Sequence, residues 1–266
     1  MDLHLTQKHV LITGGSKGIG LACALGFLDE GARVTLVSRS AENLAAGKRT
    51  LLAEHPGAGD RVLTIAADLT DADAAVVALD QAEKACGPVD VLVNSAGAAK
   101  RTPPEELTPQ AWHDAMQAKY FTYIHMIDPV VQRMGSRGAG VIVNVIGAGG
   151  KVAGPAHLPG GAANAALMLV SAGLASAFGP KGVRVNAVNP GITLTDRLKE
   201  GLAVDARMQQ IDPQEVLRLA NKRQPLGRLA EPREIADAVV FLASARASYV
   251  TGALLSMDGA LTPMVV

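Results

Sequence analysis

The sequence predicts a single α/β domain over residues 1–266, a doubly wound parallel sheet with helices on both faces, and three observations predict it. Short β-branched runs alternate with longer helical patterns along the whole chain. The strand segments are apolar at successive positions, as strands covered on both faces must be. Hydrophobic residues make up 48% of the chain but aromatic residues only 3%, so the core is Ala, Val, Leu and Ile, which suits helices packed closely on such a sheet.

The first strand is His9-Val10-Leu11-Ile12-Thr13. A helix follows over 18–30, and Gly31 ends it, as glycine commonly does just past a helix. Further strands are predicted at 33–38, 61–66, 89–94, 140–146, 183–188 and 253–257. Gly87-Pro88 and Gly182 punctuate the turns back into strands. Thr108-Pro109 and Glu231-Pro232 are helix starts, each a cap followed by proline in the first turn. Strands separated by helices imply βαβ units with right-handed crossovers. The polar, helical segment 192–228 follows a strand end, where open α/β sheets bind ligands. It reads as a substrate lid, with a plain helical insertion as the alternative.

Charge and cysteine usage exclude several function classes. Lys+Arg and Asp+Glu are equal at 25 each, which argues against nucleic acid as a partner. Cys23 and Cys86 form no CxxC or Cys/His ligand pattern, so neither a disulfide framework nor a metal site is expected, and a reduced, cytoplasmic setting is. No basic N-terminal region leads into an apolar stretch, and the apolar runs read as far short of a membrane span.

Thr13-Gly14-Gly15-Ser16-Lys17-Gly18-Ile19-Gly20 follows a strand and opens a helix. Gly14 permits the tight turn, Gly18 lets backbone approach a pyrophosphate, and Gly20 lets the helix pack on the sheet. The helix start then offers free N–H groups to an anion. This context makes the domain Rossmann-type, built to hold a dinucleotide. At the end of the second strand, NAD binders keep an acid for the ribose 2′-OH. Here Ser38 stands there, followed by Arg39, and Lys17 adds a second cation, so NADP(H) is favoured over NAD(H).

These residues resemble the short-chain dehydrogenase/reductase family, and the likeness runs through nearly the whole chain. Ala67-Asp68-Leu69 looks like the family's adenine contact. Asn94-Ser95-Ala96-Gly97 looks like its Asn-Asn-Ala-Gly motif with one substitution. Asn189-Pro190-Gly191, with Thr193 and Thr195, looks like the segment that holds the nicotinamide carboxamide. Glu234-Ile235-Ala236, Phe241-Leu242-Ala243-Ser244 and Thr251-Gly252 match the family's tail. The resemblance implies a homo-oligomer, dimer or tetramer, packed through the late helix and last strand, acting on a small-molecule carbonyl or alcohol.

It also implies a Ser, a Tyr and a Lys, with an Asn on the preceding long helix, and this chain has none of the four. Reading Asn144-Val145-Ile146-Gly147, the Ser place falls on Gly147; the Tyr place, thirteen residues on, is Gly160; the Lys place, four further, is Asn164. The Asn place, seven after Trp112, is Lys119. The only tyrosines are Tyr120, Tyr123 and Tyr249, and none has a Lys four residues later. One positioned acid or base contributes about 100- to 10,000-fold in rate, so the loss is large.

Replacements are available. His157, three residues before Gly160, is a candidate proton donor near neutral pH. Lys119 is a candidate cation for a developing alkoxide, and Asn164 for a ribose hydrogen bond without charge. A lone His on a segment with six glycines between 147 and 163 is as well explained by solvation or packing. His4, His9, His55, His113 and His125 lie in no motif and read as surface or core. Three functions remain open: an NADP(H)-dependent oxidoreductase with a relocated proton donor, a silent nucleotide-binding protein acting as sensor or oligomer partner, or a non-redox enzyme such as a lyase or dehalogenase on the same fold.

Overall fold

A computed structural model describes residues 2–97 and 99–263, with Lys199 described by its backbone alone. The strands are β1 (His9–Thr13), β2 (Arg33–Ser38), β3 (Val62–Ala66), β4 (Val91–Asn94), β5 (Gly140–Val145), β6 (Val183–Pro190) and β7 (Leu254–Met257). They pair in parallel in one sheet, in the order β3-β2-β1-β4-β5-β6-β7. Every expected strand is present, with ends displaced by one or two residues. The largest extension is in β6, which carries its ladder on to Pro190, opposite Met257.

The helices are α1 (Gly18–Asp29), α2 (Ala41–Glu54), α3 (Ala72–Cys86), α4 (Pro109–Ala115), α5 (Thr122–Arg137), α6 (Leu158–Phe178), α7 (Asp196–Gln209), α8 (Pro213–Arg223) and α9 (Pro232–Ala243). Successive strand residues face opposite ways. Val10, Ile12, Val91, Val93, Val143 and Val145 pack with α1, α2 and α9. Leu11, Leu92 and Ile142 pack with α3, α5 and α6. Both faces are therefore covered, as the unbroken apolar strands require. Thr108 caps α4, its hydroxyl accepting from the Ala111 N–H at 3.3 Å. Glu231 and Glu234 form a reciprocal capping box at α9.

Strand order reverses between β1 and β4, so a crevice opens at their carboxyl ends. Beneath it, a buried polar chain ties three strands to a helix. Thr13 donates to Asn94 at 3.2 Å, Asn94 to Asn144 at 3.0 Å, and Asn144 to the Ser171 hydroxyl at 2.9 Å.

α6 corrects one expectation. The stretch Pro155–Lys181 covers 27 residues at a mean hydropathy of 1.5 and is long and apolar enough to cross a membrane. Ala and Gly make up much of it, so runs of large apolar residues miss it. One such helix is weak evidence of a span, and the inner face of this one, Leu167, Met168, Ala175 and Phe178, is core.

Candidate functional site

The chain turns tightly between β1 and α1. Gly14 has φ +66°, and a Cβ there would lie 2.7 Å from the Ala96 backbone. A Cβ on Gly20 would overlap the Gly14 carbonyl, so strand, turn and helix close together only without side chains. Lys17 is the extended N-cap residue of α1 and makes no side-chain cap bond, which leaves the first-turn N–H groups available to a phosphate.

These residues border a cleft of about 500 Å³. Gly14, Ser16, Lys17, Gly18 and Ile19 line it from the turn, Ser38 and Arg39 from the end of β2, Asp68 and Leu69 from the end of β3, Ala96 and Gly97 from the end of β4, and Thr195 from the opposite wall. The Ser16 hydroxyl donates to Ser38 at 3.2 Å, which joins the turn to the strand end that carries Arg39. The Thr70 N–H, aided by the Thr70 hydroxyl and the Arg39 charge, holds the Asp68 carboxyl below its ordinary value. A close-approach turn, an uncapped helix start and two cations at one end fit a nicotinamide dinucleotide.

Six of the expected contacts sit back from this cleft. Gly20 packs under the turn. Asn94 is fully buried and spends its side chain on Thr13 and Asn144. Pro190 ends β6, the Gly191 N–H bonds the Met257 carbonyl at 3.0 Å, and Thr193 pairs with Ala230. Asn164 lies deeper: a Cβ on Gly147 would stand 3.2 Å from its Nδ2 and 4.0 Å from the Pro190 carbonyl. Gly147, Asn164 and the 189–191 segment thus converge beyond the cleft.

That second site is assembled by α6. The helix begins at Leu158, inside the glycine-rich segment 147–163, and Pro159 suits its first turn. His157 becomes its N-cap residue, and Gly160 and Asn164 occupy its first two turns. The His157 imidazole folds over Gly160. A Cβ on Gly160 would overlap ring carbon Cε1 and stand 2.8 Å from both Nδ1 and the Ala99 Cβ, while a Cβ on Gly149 would be 2.9 Å from Cδ2. The imidazole therefore occupies space that a side chain at position 160 would take. Its buried Nδ1 has no hydrogen-bond partner among the described residues. Burial, then the charges of Arg101, Arg197 and Lys119, push its pKa down to about 4.

Lys119 arrives from the other side. Between α4 and α5, Met116–Phe121 winds as a π-helix, a rare geometry often found at functional sites. Lys119 is 8% exposed. Its ammonium donates to the Tyr123 hydroxyl at 2.8 Å and the Val145 carbonyl at 3.2 Å, and the Tyr123 hydroxyl bonds that same carbonyl. Burial, and then Arg197, push the Lys119 pKa down to about 7. Burial drives the Tyr123 phenol upward. The pair reads Lys-x-x-x-Tyr in sequence, the family's order reversed, and four-residue spacing on a helix was the available signal for it.

Arg197 was not foreseen, and no motif announces it. It lines the cleft from α7 and reaches back to donate to the Gly97 carbonyl at 3.3 Å and the Ala99 carbonyl at 3.0 Å. Two ion pairs join the same elements, Arg101–Asp205 at 2.6 Å and Arg207–Glu106 at 2.9 Å. The remaining histidines behave as structural residues where contacts define them: His9 bonds the Gly87 carbonyl at 2.7 Å and the Thr35 hydroxyl at 2.9 Å.

Similar proteins extend these observations. A protein-family model described as "Enoyl-(Acyl carrier protein) reductase" matches residues 14–262. The gluconate 5-dehydrogenase of Gluconobacter oxydans is 33% identical over 258 residues, covering 97% of this chain and 96% of that one. Among solved structures, the NADPH-bound L-sorbose reductase of Gluconobacter frateurii superposes with a TM-score of 0.90 at 29% identity over the full length of both chains. An NADPH-bound short-chain oxidoreductase of Pseudomonas aeruginosa PAO1, described as containing an atypical catalytic center, superposes with a TM-score of 0.87 at 32% identity, covering 97% of this chain and 98% of that one. With the glycine turn, strand order and tail in agreement, the chain belongs to the short-chain dehydrogenase/reductase family of oxidoreductases.

Proposed function

We propose that this protein is an NADP(H)-dependent oxidoreductase interconverting a carbonyl and an alcohol, with His157 in the place of the family's tyrosine. One observation carries the reading. The imidazole fills the space over Gly160, and its buried Nδ1 has no hydrogen-bond partner among the described residues. A buried polar atom left unpaired costs about 1–3 kcal/mol, which a ligand bond would offset.

Lys17 and Arg39 would hold the 2′-phosphate, and the first turn of α1 would take the pyrophosphate. NADPH, when bound, supplies the hydride for carbonyl reduction. The residues of this chain do the rest. His157 would hold the substrate oxygen and, when protonated, place a proton on it as it becomes a hydroxyl, a step favoured as pH falls toward its pKa of about 4. Lys119 places its amine behind the site, cationic below about pH 7. Asn164 offers an uncharged hydrogen bond to the cofactor ribose. The substrate is a polyol, sugar or hydroxy acid, or the corresponding carbonyl compound, by likeness to gluconate 5-dehydrogenase and L-sorbose reductase.

Residues 1–266 act as one domain, and α7 with α8 is the substrate lid, clipped to the 97–106 segment by Arg197, Arg101 and Arg207. Exposed Leu169, Phe241 and Leu255 on α6, α9 and β7 are apolar surface that a homo-oligomer, dimer or tetramer, would cover, and the setting is cytoplasmic. A silent cofactor-binding role is the second reading, because an imidazole with a pKa near 4 is neutral at pH 7.

Thermal unfolding with NADPH, NADP+, NADH and NAD+ tests the reading, followed by turnover. A ligand at 100 times its Kd adds about 2.7 kcal/mol, a shift of about 2–4 °C per kcal/mol for a domain of this size. A shift with the phosphorylated pair and turnover of NADPH is expected. A shift without turnover across a carbonyl panel supports the silent role, and no shift at all removes both readings.

A further inference from the structure

Beside the dinucleotide cleft, between α1, α7, α8 and the start of α9, lies a second cavity of about 520 Å³. Leu21 and Leu25, one turn apart on α1, line it together with Leu198 and Leu202, one turn apart on α7. Leu194 just before α7 and Leu217 on α8 add to the wall. Gly18, Thr195 and Asp196 are common to this cavity and to the cleft. No Lys, Arg, His or aromatic side chain lines it.

The helices around this space are fixed by contacts outside it. α1 lies close against α9, where a Cβ on Gly26 would stand 3.0 Å from the Val240 side chain. The base of the α7–α8 segment is closed by the Leu194 N–H on the Ala230 carbonyl at 2.8 Å and the Ala230 N–H on the Ile192 carbonyl at 3.3 Å. α7 is tied to the 97–106 segment by Arg197 and by the Arg101–Asp205 and Arg207–Glu106 pairs. The leucines are thus held apart: those of α1, α7 and α8 are only half-buried, and Leu194 is 45% exposed. Apolar walls held apart gain by enclosing an apolar ligand, and the volume lies in the usual range of small-molecule sites, about 300–1,000 Å³.

We propose that this cavity binds an uncharged aliphatic chain, of the class of medium-chain amides, alcohols or esters, alongside the bound dinucleotide. Leucine side chains offer dispersion contacts and no ring to stack on, which suits a flexible chain. A carboxylate head would meet no basic side chain among the lining residues, and burying it unpaired is costly, so the ligand is neutral. His157, Gly160 and Asn164 do not line this cavity, so the chain is a second ligand and not the reacting substrate. The inference goes beyond the oxidoreductase reading and does not rest on it.

The test is a series of straight-chain primary amides, from butanamide to decanamide, titrated by calorimetry into the full-length protein, free and saturated with NADPH. These amides carry no ketone or alcohol, which separates binding from turnover. Affinity is expected to rise about threefold to fourfold per methylene until the cavity is filled, and to persist at saturating NADPH. Leu198→Gln and Leu217→Gln, on different helices, should each weaken octanamide by about tenfold or more, with the NADPH Kd and the unfolding midpoint near those of wild type. If one variant does not fold, the other decides. No binding, an affinity independent of chain length, or wild-type affinity in both variants overturns the proposal. Loss of amide binding on saturation with NADPH overturns it too, and assigns the space to closure of α7 and α8 on the cofactor. Self-association that Leu198→Gln abolishes, without amide binding, assigns the leucines to a second copy of the chain and overturns it equally. Failure of NADPH to bind would remove the oxidoreductase reading and leave the titration of the free protein to decide this one.

Discussion

The dinucleotide cleft and the site over Gly160 are made by opposite means. In the cleft the turn itself is closed by backbone: Gly14 and Gly20 bring turn, strand and helix together where any Cβ would collide, and side chains such as Lys17, Arg39 and Asp68 line its edges. Over Gly160 the glycines make room, and the His157 imidazole from the α6 cap fills it, while Lys119 from a π-helical turn and Arg197 from α7 act on that ring by charge. Removing side chains defines a shape in the first site. In the second it frees a shape for other groups to redefine.

That contrast makes separable predictions. The largest concerns His157. His157→Gln is expected to lower turnover by about 100- to 10,000-fold with NADPH affinity unchanged, measured by steady-state kinetics and calorimetry. Unchanged turnover would return the imidazole to a packing role. The same variant carries a stability signature. The folded pKa is about 4 against an ordinary 6.5, so the unfolded chain holds the extra proton between those values. Wild-type stability should therefore fall as pH drops from about 6.5 to about 4, and His157→Gln should flatten that decline.

Lys119 comes next. Its pKa is lowered from 10.5 to about 7, so between those values the unfolded chain is protonated and the folded chain is not. Stability then rises with pH across that window, and the penalty is fully present below pH 7. Lys119→Met, which removes the buried charge, is expected to stabilise the protein at pH 6–7 by on the order of a few kcal/mol and to reduce turnover. A loss of stability there would mean that the Tyr123–Val145 bonds outweigh the cost of burying the ammonium. The smallest effect belongs to the cleft. Arg39→Ala should weaken NADPH about tenfold, roughly 1.4 kcal/mol, and leave NADH binding as it was. Equal weakening of both cofactors would make Arg39 a general surface contact.

How far the sequence could be read follows the same division. The seven strands and the α1 turn depend on residues close in the chain, whose apolar runs and glycines carry the signal directly. The exceptions are instructive. Asn94 sits within a motif that suggests a cofactor contact, yet its side chain is spent on Thr13, 81 residues away in sequence, and on Asn144, 50 away. α6 was underestimated as an apolar helix because its hydropathy is spread over Ala and Gly.

The amino-acid sequence by itself determined the parallel sheet and the glycine turn, and it set Gly147, Gly160, Asn164 and Lys119 at the places where the resemblance leads one to expect Ser, Tyr, Lys and Asn. Only the tertiary structure decided what surrounds those positions: that the imidazole of His157 folds into the space over Gly160, that Lys119 turns inward to Tyr123, and that Arg197 crosses 98 residues of sequence to Ala99. The physical reason is one of range. Backbone geometry is written in neighbouring residues, whereas the field and the free volume at a site are sums over groups that meet only when the chain has folded.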